Sequence, residues 1–354
     1  MQTRKQVVRT DLWLDASFEA RLARETDIDL ARLPVASTEA DAFALLARAH
    51  VFHVSPAKDE LPRHLFVDDA LLARCPNLVC VSSAGAGFDT IDAAACTRAG
   101  VLLVNQAGGN AASVAELAIG LLLDVSRRIT ECDRKLRRER GFSREDVMGS
   151  EIGGKVIGLI GLGHTGGRVA ALARAFGMTV LASDPYLTEE EIRRRGAQSV
   201  SLADLLEQSD VVSIHCPRDK TTMKMIDAAA YAKMKKGAIM ISTARGGIHD
   251  EAALTAALRS GHLGGAGLDV WDQEPPPLDH PLLAMENVVA TFHTAGVSHE
   301  ARRNVATIAA EQIVGVLKGG HPPRLINPEV WPAHSQRFER LMGFAVQPAG
   351  SSAD

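Results

Sequence analysis

The sequence predicts an α/β protein of two domains, each built on a parallel β-sheet. A length of 354 residues favours two domains over one. Short apolar segments typical of buried parallel strands alternate with segments of helical spacing along most of the chain. Residues 155–184 contain a strand, a glycine turn, a helix and a second strand in that order. Together these observations indicate parallel sheets covered by helices.

Composition and charge describe an ordinary globular chain. Hydrophobic residues make up 46% of the sequence, which is enough to bury a large core. The formal net charge of −4 does not favour a nucleic-acid or membrane-surface partner. The N-terminal segment lacks the apolar core of a signal peptide, and no apolar run reaches membrane-spanning length. The five cysteines lack metal-ligand spacing, so we expect reduced thiols, no metal and a cytoplasmic location.

The first 110 residues alternate strand-like and helix-like segments. Strands are expected at 49–54, 78–82 and 101–104, with a helix at 69–74. Glycine-rich turns follow two of these strands, SAGAGFD at 83–89 and NQAGGN at 105–110. Open α/β sheets bind ligands at such turns, although each turn could equally be an ordinary one that needs positive φ.

A long helix is predicted to begin at Ser113, because Ser113 and Glu116 form a capping-box pattern. Its apolar face comprises Val114, Leu117, Leu121, Leu122, Val125 and Ile129. We expect this helix to carry the chain from the first domain into the second. The basic run at 134–140 is interpreted as a solvated helix face rather than an anion site.

Residues 155–184 match the Rossmann dinucleotide-binding fingerprint in its full context. The glycine turn is a G-x-G-x-x-G formed by Gly161, Gly163 and Gly166, and the second strand ends on Asp184. Gly161 permits the tight turn, Gly163 lets a pyrophosphate approach the backbone, and Gly166 permits close helix–strand packing. The N–H groups of the helix N-terminus would face the phosphates. This combination favours a dinucleotide site over an ordinary turn.

Beyond Asp184 the alternation continues, with strands expected at 211–215, 238–242, 268–270 and 288–291. A helix at about 300–317 is stopped by a Gly-Gly pair and could return the chain to the first domain. The tail from residue 333 onward is expected to be frayed. We therefore predict a discontinuous first domain, residues 1–112 and 303–354, that encloses a nucleotide-binding domain, residues 113–302.

Three polar residues of the nucleotide-binding half are candidates for chemistry: Arg245, Glu274 and His293. Reduction of a keto acid by a nicotinamide needs a cation for the substrate carboxylate and a proton donor for the developing alkoxide. Arginine is a two-pronged carboxylate clamp and histidine a natural proton carrier, which an adjacent glutamate would orient and stabilise when charged. Spacing alone is equally compatible with structural roles. Arg245 could form a surface ion pair, Glu274 could be a loop acid, and His293 could cap a turn.

Ordered motifs over residues 83–303 resemble those of the D-isomer-specific 2-hydroxyacid dehydrogenases. The matching segments are SAGAGFDTID at 83–92, NQAGGNAASVAE at 105–116, the stretch 161–184, HCP at 215–217 with Thr222, TARGGIHDE at 243–251, GAGLDVWDQEP at 265–275 and HTAG at 293–296. The resemblance implies two Rossmann-like or flavodoxin-like domains with parallel sheets, a cleft between them that closes on the substrate, and NAD as cofactor. Asp184 also favours NAD, because its carboxylate would bond the ribose hydroxyls and repel a 2′-phosphate.

The resemblance also implies roles for individual residues. Arg245 would bind a small 2-keto or 2-hydroxy acid, His293 would be the acid/base and Glu274 would support it. Further substrate contacts would come from His293 and from the backbone of Ala84, Gly85, Ala86 and Gly87. The implied cofactor contacts are Gly161, Gly163, His164, Thr165, Gly166, Asp184, Cys216, Pro217, Thr222, Thr243, Ala244, Arg245, Asp269, His293, Ala295 and Gly296. Residues 113–150 correspond to the dimer-forming helix and arm of the family, so a homodimer is implied.

Some positions depart from the family pattern. Gln106 stands where proline is common, Ser242 where asparagine is frequent and Phe142 where tryptophan is frequent. Phosphoglycerate-specific members carry arginines where Val54-Ser55-Pro56 and Ser83 stand here. The implied activity is that of a phosphoglycerate dehydrogenase or a hydroxypyruvate/glyoxylate reductase, and these departures disfavour a phosphorylated substrate.

Two alternative functions share parts of this pattern. A formate dehydrogenase-like enzyme is disfavoured by Glu274, because formate oxidation releases no alkoxide proton and needs no glutamate–histidine acid. A non-catalytic NAD-sensing scaffold of the corepressor type stays open, because such proteins can retain Arg245, Glu274 and His293.

Overall fold

The computed structural model describes residues 4–347, which divide into two compact units. The first unit contains the described residues up to 110 and from 298 onward, and the second contains residues 111–297. Each unit is built on a parallel sheet, so the predicted fold class with a discontinuous first unit is confirmed. The assignment of substrate binding to the first domain stays a prediction.

The first unit has five parallel strands: β1 (Lys5–Thr10), β2 (Ile28–Leu33), β3 (Val51–Val54), β4 (Cys80–Ser83) and β5 (Leu102–Val104). Their order, β2-β1-β3-β4-β5, is the flavodoxin-like doubly wound order. The helices between them are α1 (Ser17–Leu22), α2 (Glu39–Leu46), α3 (Asp69–Arg74) and α4 (Ala93–Arg98). Asp68 and Asp92 begin α3 and α4, because their carboxylates accept backbone N–H groups of the first turn at 3.1 and 3.0 Å.

The second unit has seven parallel strands: β6 (Val156–Ile160), β7 (Thr179–Ser183), β8 (Gln198–Ser199), β9 (Val211–Ile214), β10 (Ile239–Ser242), β11 (Gly265–Leu268) and β12 (Val288–Ala290). Its helices are α5 (Ala111–Arg127), α6 (Ile129–Arg138), α7 (His164–Ala175), α8 (Glu189–Arg194), α9 (Leu202–Gln208), α10 (Ala228–Lys233) and α11 (Glu251–Arg259). The strand order is β12-β11-β10-β9-β6-β7-β8. Successive strands are added first on one side of β6 and then on its other side, as in a Rossmann sheet.

Helices pack closely on the central strand β6. Gly158 lies in the middle of this strand, and a Cβ at that position would overlap the side chains of Ser209 and Leu205. Leu159, its neighbour, is fully buried. The apolar run that predicted a strand buried on both faces therefore has helices on both sides, which fixes the start of the glycine turn that follows.

The long helix differs from its prediction at both ends. Helix α5 begins at Ala111, and the Ser113 hydroxyl donates to the Ala295 carbonyl at 2.6 Å instead of capping the helix. The helix ends at Arg127 because Arg128 adopts a left-handed conformation with φ of 54°. Ile129 therefore belongs to α6 and is 54% exposed rather than part of the apolar face of α5. The basic run that follows is largely exposed on α6 and beyond.

The chain returns to the first unit through α12 (His299–Leu317) and α13 (Trp331–Met342). The prediction of a frayed tail from residue 333 is wrong for α13. Phe338 is fully buried, and the Arg337 guanidinium donates to the carbonyls of Pro76 and Leu78 at 2.6 and 2.7 Å. The last seven residues of the tail lie outside the described part of the chain.

Short 3-10 turns occur at Arg63–Leu65, Glu145–Val147, Pro281–Ala284 and Pro328–Val330. Between residues 4 and 347, no helix combines the length and the apolar character that a membrane span requires.

Candidate active site

The predicted site residues of the second unit share one edge of its sheet. They follow the strands in this order: 161–166 after β6, Asp184 after β7, Cys216, Pro217 and Thr222 after β9, Thr243, Ala244 and Arg245 after β10, Asp269 and Glu274 after β11, and His293, Ala295 and Gly296 after β12. Because all strands of this sheet are parallel, each of these segments leaves the carboxyl edge. This is the edge at which open α/β sheets bind ligands.

The three glycines of the turn after β6 differ in what the protein itself requires. Gly161 has a φ of 89°, and a Cβ there would lie 2.8 Å from the Cys216 backbone nitrogen. A Cβ at Gly166 would overlap the Gly161 carbonyl oxygen. A Cβ at Gly163, in contrast, would meet no atom within 4 Å. The packing of the chain thus requires glycine at two positions and leaves open space at the third.

This open space suits a dinucleotide phosphate. Gly163 is the N-cap of α7, and no side chain caps that helix. The first N–H groups of α7, which begins with His164 and Thr165, have no partner within the helix and carry its partial positive charge. An anion next to Gly163 would satisfy these donors. The residues of the turn therefore fit the pyrophosphate of NAD.

Asp184 lies beside the same turn. Its Oδ2 accepts the N–H of Leu162 at 2.8 Å, and its Oδ1 accepts the N–H of Tyr186 at 3.0 Å. The Arg195 guanidinium donates to the carbonyl of Leu162, the same residue whose N–H Asp184 accepts. The carboxylate is half-buried, and each oxygen keeps a further lone pair for a ribose hydroxyl.

The other predicted cofactor residues have distinct local roles. Thr222 closes its loop by donating its hydroxyl to the Pro217 carbonyl at 2.8 Å. The Thr243 hydroxyl is buried and has no hydrogen-bond partner among the described residues, as expected of a group that meets a ligand. Burial raises the pKa of the Cys216 thiol to about 11, so this cysteine is a neutral thiol and not a nucleophile.

Glu274 and His293 form a hydrogen-bonded pair. The Nδ1 atom of His293 lies 2.8 Å from Oε2 of Glu274, while Oε1 of Glu274 accepts the N–H of Trp271 at 3.1 Å. The His293 side chain is 37% exposed, and because Nδ1 is bonded to Glu274, Nε2 is the ring nitrogen that can serve a substrate. Burial alone would raise the pKa of Glu274, but the hydrogen bond and charge of His293 outweigh burial, and the net pKa is lowered.

The backbone at His293 is held in an uncommon conformation. His293 has a φ of 45°, a left-handed value that residues other than glycine seldom adopt. Its N–H donates to the Asp269 carbonyl at 2.7 Å. The Asp269 carboxylate is fully buried and accepts the N–H groups of Thr294 and Ala295 at 2.8 and 2.9 Å. Asp269, which sequence reasoning placed on the cofactor, thus also fixes the turn that presents His293.

Arg245 follows β10 in a turn with little freedom. Its Nη1 donates to the Ala244 carbonyl at 2.7 Å, and its charge contributes to lowering the pKa of Glu274. The next residue is Gly246, where a Cβ would overlap the Trp271 carbonyl oxygen. Glycine is therefore required beside Arg245, and the arginine turn packs directly on the segment that carries Glu274.

The predicted substrate loop, residues 84–87, follows β4 in the first unit. Ser83 braces it by donating its hydroxyl to the Gly87 carbonyl at 2.5 Å. Gln106 is fully buried, and its backbone N–H donates to the Gly85 carbonyl at 2.9 Å. Its side-chain Nε2 donates to the Ser83 carbonyl at 3.0 Å, and its side-chain Oε1 accepts from Gln312 Nε2 at 2.9 Å. The glutamine that departs from the family pattern therefore supports this loop.

No site role was expected for Trp271, whose N–H bonds Glu274, or for Glu251 and His280, which contact Asp272 and Trp271 next to it. Glu251 lies in one of the matching segments, but His280 is 29 residues away from it, and no local spacing connects them. Within residues 4–347, no three His, Cys, Asp or Glu side chains are grouped so that they could hold a metal ion.

Comparison with known proteins identifies the family. Residues 119–295 match the family model described as D-isomer specific 2-hydroxyacid dehydrogenase, NAD binding domain. The chain is 42% identical over 279 residues to D-3-phosphoglycerate dehydrogenase of Archaeoglobus fulgidus, a match that covers 78% of this chain and 52% of that protein. It is 37% identical over 267 residues to glyoxylate reductase of Korarchaeum cryptofilum, covering 75% of this chain and 80% of that protein.

A solved structure agrees. D-lactate dehydrogenase from Aquifex aeolicus, in complex with NAD and lactic acid, superposes with a TM-score of 0.78 at 25% identity, covering 91% of this chain and 99% of that one. The chain spans about half the length of the phosphoglycerate dehydrogenase named above and most of the length of the glyoxylate reductase. The chain therefore belongs to the D-isomer specific 2-hydroxyacid dehydrogenase family, whose NAD-binding domain its residues 119–295 form.

Proposed function

We propose that the protein is an NAD-dependent D-2-hydroxyacid dehydrogenase that reduces a small 2-keto acid. The observation that carries this proposal is the hydrogen bond of 2.8 Å between His293 Nδ1 and Glu274 Oε2, at the same sheet edge as the dinucleotide turn. A paired imidazole with a free Nε2 is the group that a ketone reduction needs, because the product alkoxide must be protonated.

The proposed reaction assigns one task to each side chain. The turn 161–166 and Asp184 would hold NADH, which would supply the hydride for the carbonyl carbon. His293 donates the proton from Nε2 to the carbonyl oxygen as negative charge develops there, and Glu274 stabilises the charged imidazole and fixes its orientation. Arg245 holds the substrate carboxylate through its guanidinium. The substrate contact of the backbone at residues 84–87 stays a prediction. In the oxidation direction His293 accepts the hydroxyl proton.

The proposed substrates are unphosphorylated keto acids such as glyoxylate, hydroxypyruvate and pyruvate. Val54 and Ser83 stand where phosphoglycerate-specific relatives carry arginines, so those two positions offer a phosphate no cation. Relatives named glyoxylate reductase match most of their own length to this chain, in support of the same class.

We further propose a cytoplasmic homodimer that assembles through residues 113–150. Three large apolar side chains of this segment, Ile129, Leu136 and Met148, are 54%, 60% and 67% exposed in the single chain. Large apolar side chains exposed along one segment favour a partner surface. All five cysteines are free, as in proteins of a reducing compartment.

The test is NADH oxidation with glyoxylate, hydroxypyruvate, pyruvate and phosphohydroxypyruvate, followed by chiral analysis of the product. We expect turnover with at least one unphosphorylated acid and, where the product is chiral, the D isomer. NADH binding without turnover would favour the corepressor-type scaffold. NAD reduction that depends on formate would favour the formate dehydrogenase-like alternative.

A further inference from the structure

A second carboxylate–imidazole pair lies beside Glu274 and His293. Oε2 of Glu251 is 3.0 Å from Nε2 of His280. The two side chains are 11% and 14% exposed, against 22% and 37% for Glu274 and His293. Glu251 and His280, the inner pair, are thus more shielded from solvent than Glu274 and His293, the outer pair.

The protonation of the inner pair is fixed by its surroundings. Nδ1 of His280 accepts the N–H of Leu282 at 3.3 Å, so this nitrogen carries no proton. The imidazole proton therefore lies on Nε2 and is donated to Glu251. Glu251 is the first residue of α11, and burial raises the pKa of its carboxyl group, although the hydrogen bonds from Asp272 and His280 oppose this shift.

The inner pair holds the turn that carries Glu274. Oε1 of Glu251 accepts the backbone N–H of Asp272 at 2.7 Å. The preceding N–H, that of Trp271, donates to Glu274 Oε1 at 3.1 Å. Two consecutive amides are therefore bound by two glutamates, and the position of Glu274 depends on a turn that Glu251 anchors.

Trp271 extends this anchoring to the other reactive elements. Its indole ring meets the His280 ring edge-on, with centroids 5.5 Å apart. Its Nε1 donates to the Thr291 carbonyl at 3.0 Å, two residues before His293. Its own carbonyl packs against Gly246, the residue after Arg245. A shift of Trp271 would move the segments of all three reactive side chains.

We propose that Glu251 and His280 are positioning residues for the acid/base, which hold the turn 271–274 so that Glu274 stays on Nδ1 of His293. They act through the turn and do not touch the substrate. This inference rests on the proposed dehydrogenase function. The titratable and charged groups near the turn include His280 and Tyr231 beside Glu251, and Arg245 and His293 beside Glu274. Asp272, which lies in the turn itself, interacts with His249 and Lys224.

The first test is Glu251→Gln. Glutamine keeps an oxygen for the Asp272 N–H, but its NH₂ group would face the Nε2–H of His280, so the pair is broken at constant volume. We expect kcat for keto-acid reduction to fall about tenfold, with KM and NADH affinity changed less than about twofold, because part of the general-acid contribution is lost. The alkaline limb of the pH profile should move to lower pH, because a displaced Glu274 stabilises the charged imidazole less. Glu251→Asp should restore part of kcat.

The second measurement does not depend on turnover. Histidine side chains are labelled with ¹⁵N, and the titration of His293 is followed in the wild type, in Glu251→Gln and in His280→Gln. We expect the His293 midpoint to fall in both variants and to stay unchanged in Glu207→Gln, which alters an exposed glutamate of α9. His280→Gln also covers the case in which Glu251→Gln does not fold.

The outcomes separate this proposal from the proposed function. If the His293 midpoint falls in both variants but the wild type reduces no keto acid, the positioning role is supported and the dehydrogenase function is refuted. Normal turnover with an unchanged kcat, pH profile and His293 midpoint in both variants would overturn the positioning role. A lower melting temperature with an unchanged pH profile and midpoint would show that the pair only stabilises the fold, which also overturns the proposal.

Discussion

Replacing Gly163 with alanine should weaken NADH binding while the second unit stays folded. The added Cβ would meet no atom within 4 Å, and the φ of −71° is negative, although the ψ of −148° lies outside the usual extended range and costs alanine on the order of 1 kcal/mol. Gly167, four residues further along the same turn and helix, is the matched control, because a Cβ there lies 4.0 Å from the Leu162 carbonyl oxygen, an ordinary contact. Packing within the chain therefore does not require glycine at position 163. Crowding of the added methyl group is also no reason to expect a loss of stability.

The size of the effect follows from the phosphate contact. A phosphate oxygen must come within about 2.9 Å of a backbone nitrogen to accept its hydrogen bond, and a methyl group at Gly163 would occupy the space through which it approaches. A hydrogen bond to a charged group contributes about 1.5–3 kcal/mol. Loss of one such bond corresponds to an affinity about 10- to 150-fold lower. The unfolding free energy should fall by no more than about 1 kcal/mol, the scale of an N-cap change.

The assay is a fluorescence titration with NADH, paired with thermal unfolding in the absence of NADH. Gly167→Ala should bind NADH within about twofold of the wild type. If Gly163→Ala binds NADH as tightly as the wild type, the pyrophosphate does not lie on this turn. If Gly163→Ala unfolds in the absence of NADH, the fold itself, and not the cofactor, requires glycine at this position.

Three further substitutions address the substrate clamp, the cofactor choice and the stability of the second unit. Arg245→Ala should raise KM for the keto acid at least about 100-fold, as expected for the loss of a bidentate carboxylate contact, with the NADH dissociation constant nearly unchanged; loss of both affinities would mean that a role for Arg245 confined to the substrate carboxylate is wrong. Asp184→Ala should raise kcat/KM for NADPH relative to NADH, because a carboxylate repels the 2′-phosphate; an unchanged ratio would place cofactor choice elsewhere. Burial lowers the pKa of His249 from 6.5 to about 4. The unfolded chain therefore takes up a proton below about pH 6.5 that the folded chain refuses until about pH 4, so stability is complete above pH 6.5 and falls by up to about 3 kcal/mol toward pH 4. His249→Leu should reduce this acid loss in denaturant unfolding at pH 7.5 and 4.5, with the exposed His299→Leu as control; an acid loss equal to that of the wild type would contradict the assignment.

The parts of the site that are encoded locally could be predicted from the sequence. The glycine turn, Asp184 and the trio of Arg245, Glu274 and His293 belong to short segments in which residue type and spacing carry the signal. The α/β alternation likewise predicted the fold class, because buried parallel strands and amphipathic helices differ in period.

The parts that depend on tertiary contacts could not be predicted. The break after α5 comes from Arg128, a residue type that gives no sign of a left-handed conformation. The helix Trp331–Met342 is ordered by its packing on the first unit rather than by its composition. The bond between Glu251 and His280 joins positions 29 residues apart that only the folded sheet brings together. Each of these features is set by partners that are distant in sequence.

The most direct test of the proposed mechanism compares the wild type with His293→Asn. Asparagine tolerates the left-handed backbone of this position, where φ is 45°, so the turn should persist without its proton donor. With NADH and glyoxylate or hydroxypyruvate, we expect the wild type to turn over and the variant to lose about 10²- to 10⁴-fold in kcat, with NADH affinity retained. A wild type that binds NADH but reduces no 2-keto acid, or a variant as active as the wild type, would contradict the assignment of His293 as the acid that completes the reaction.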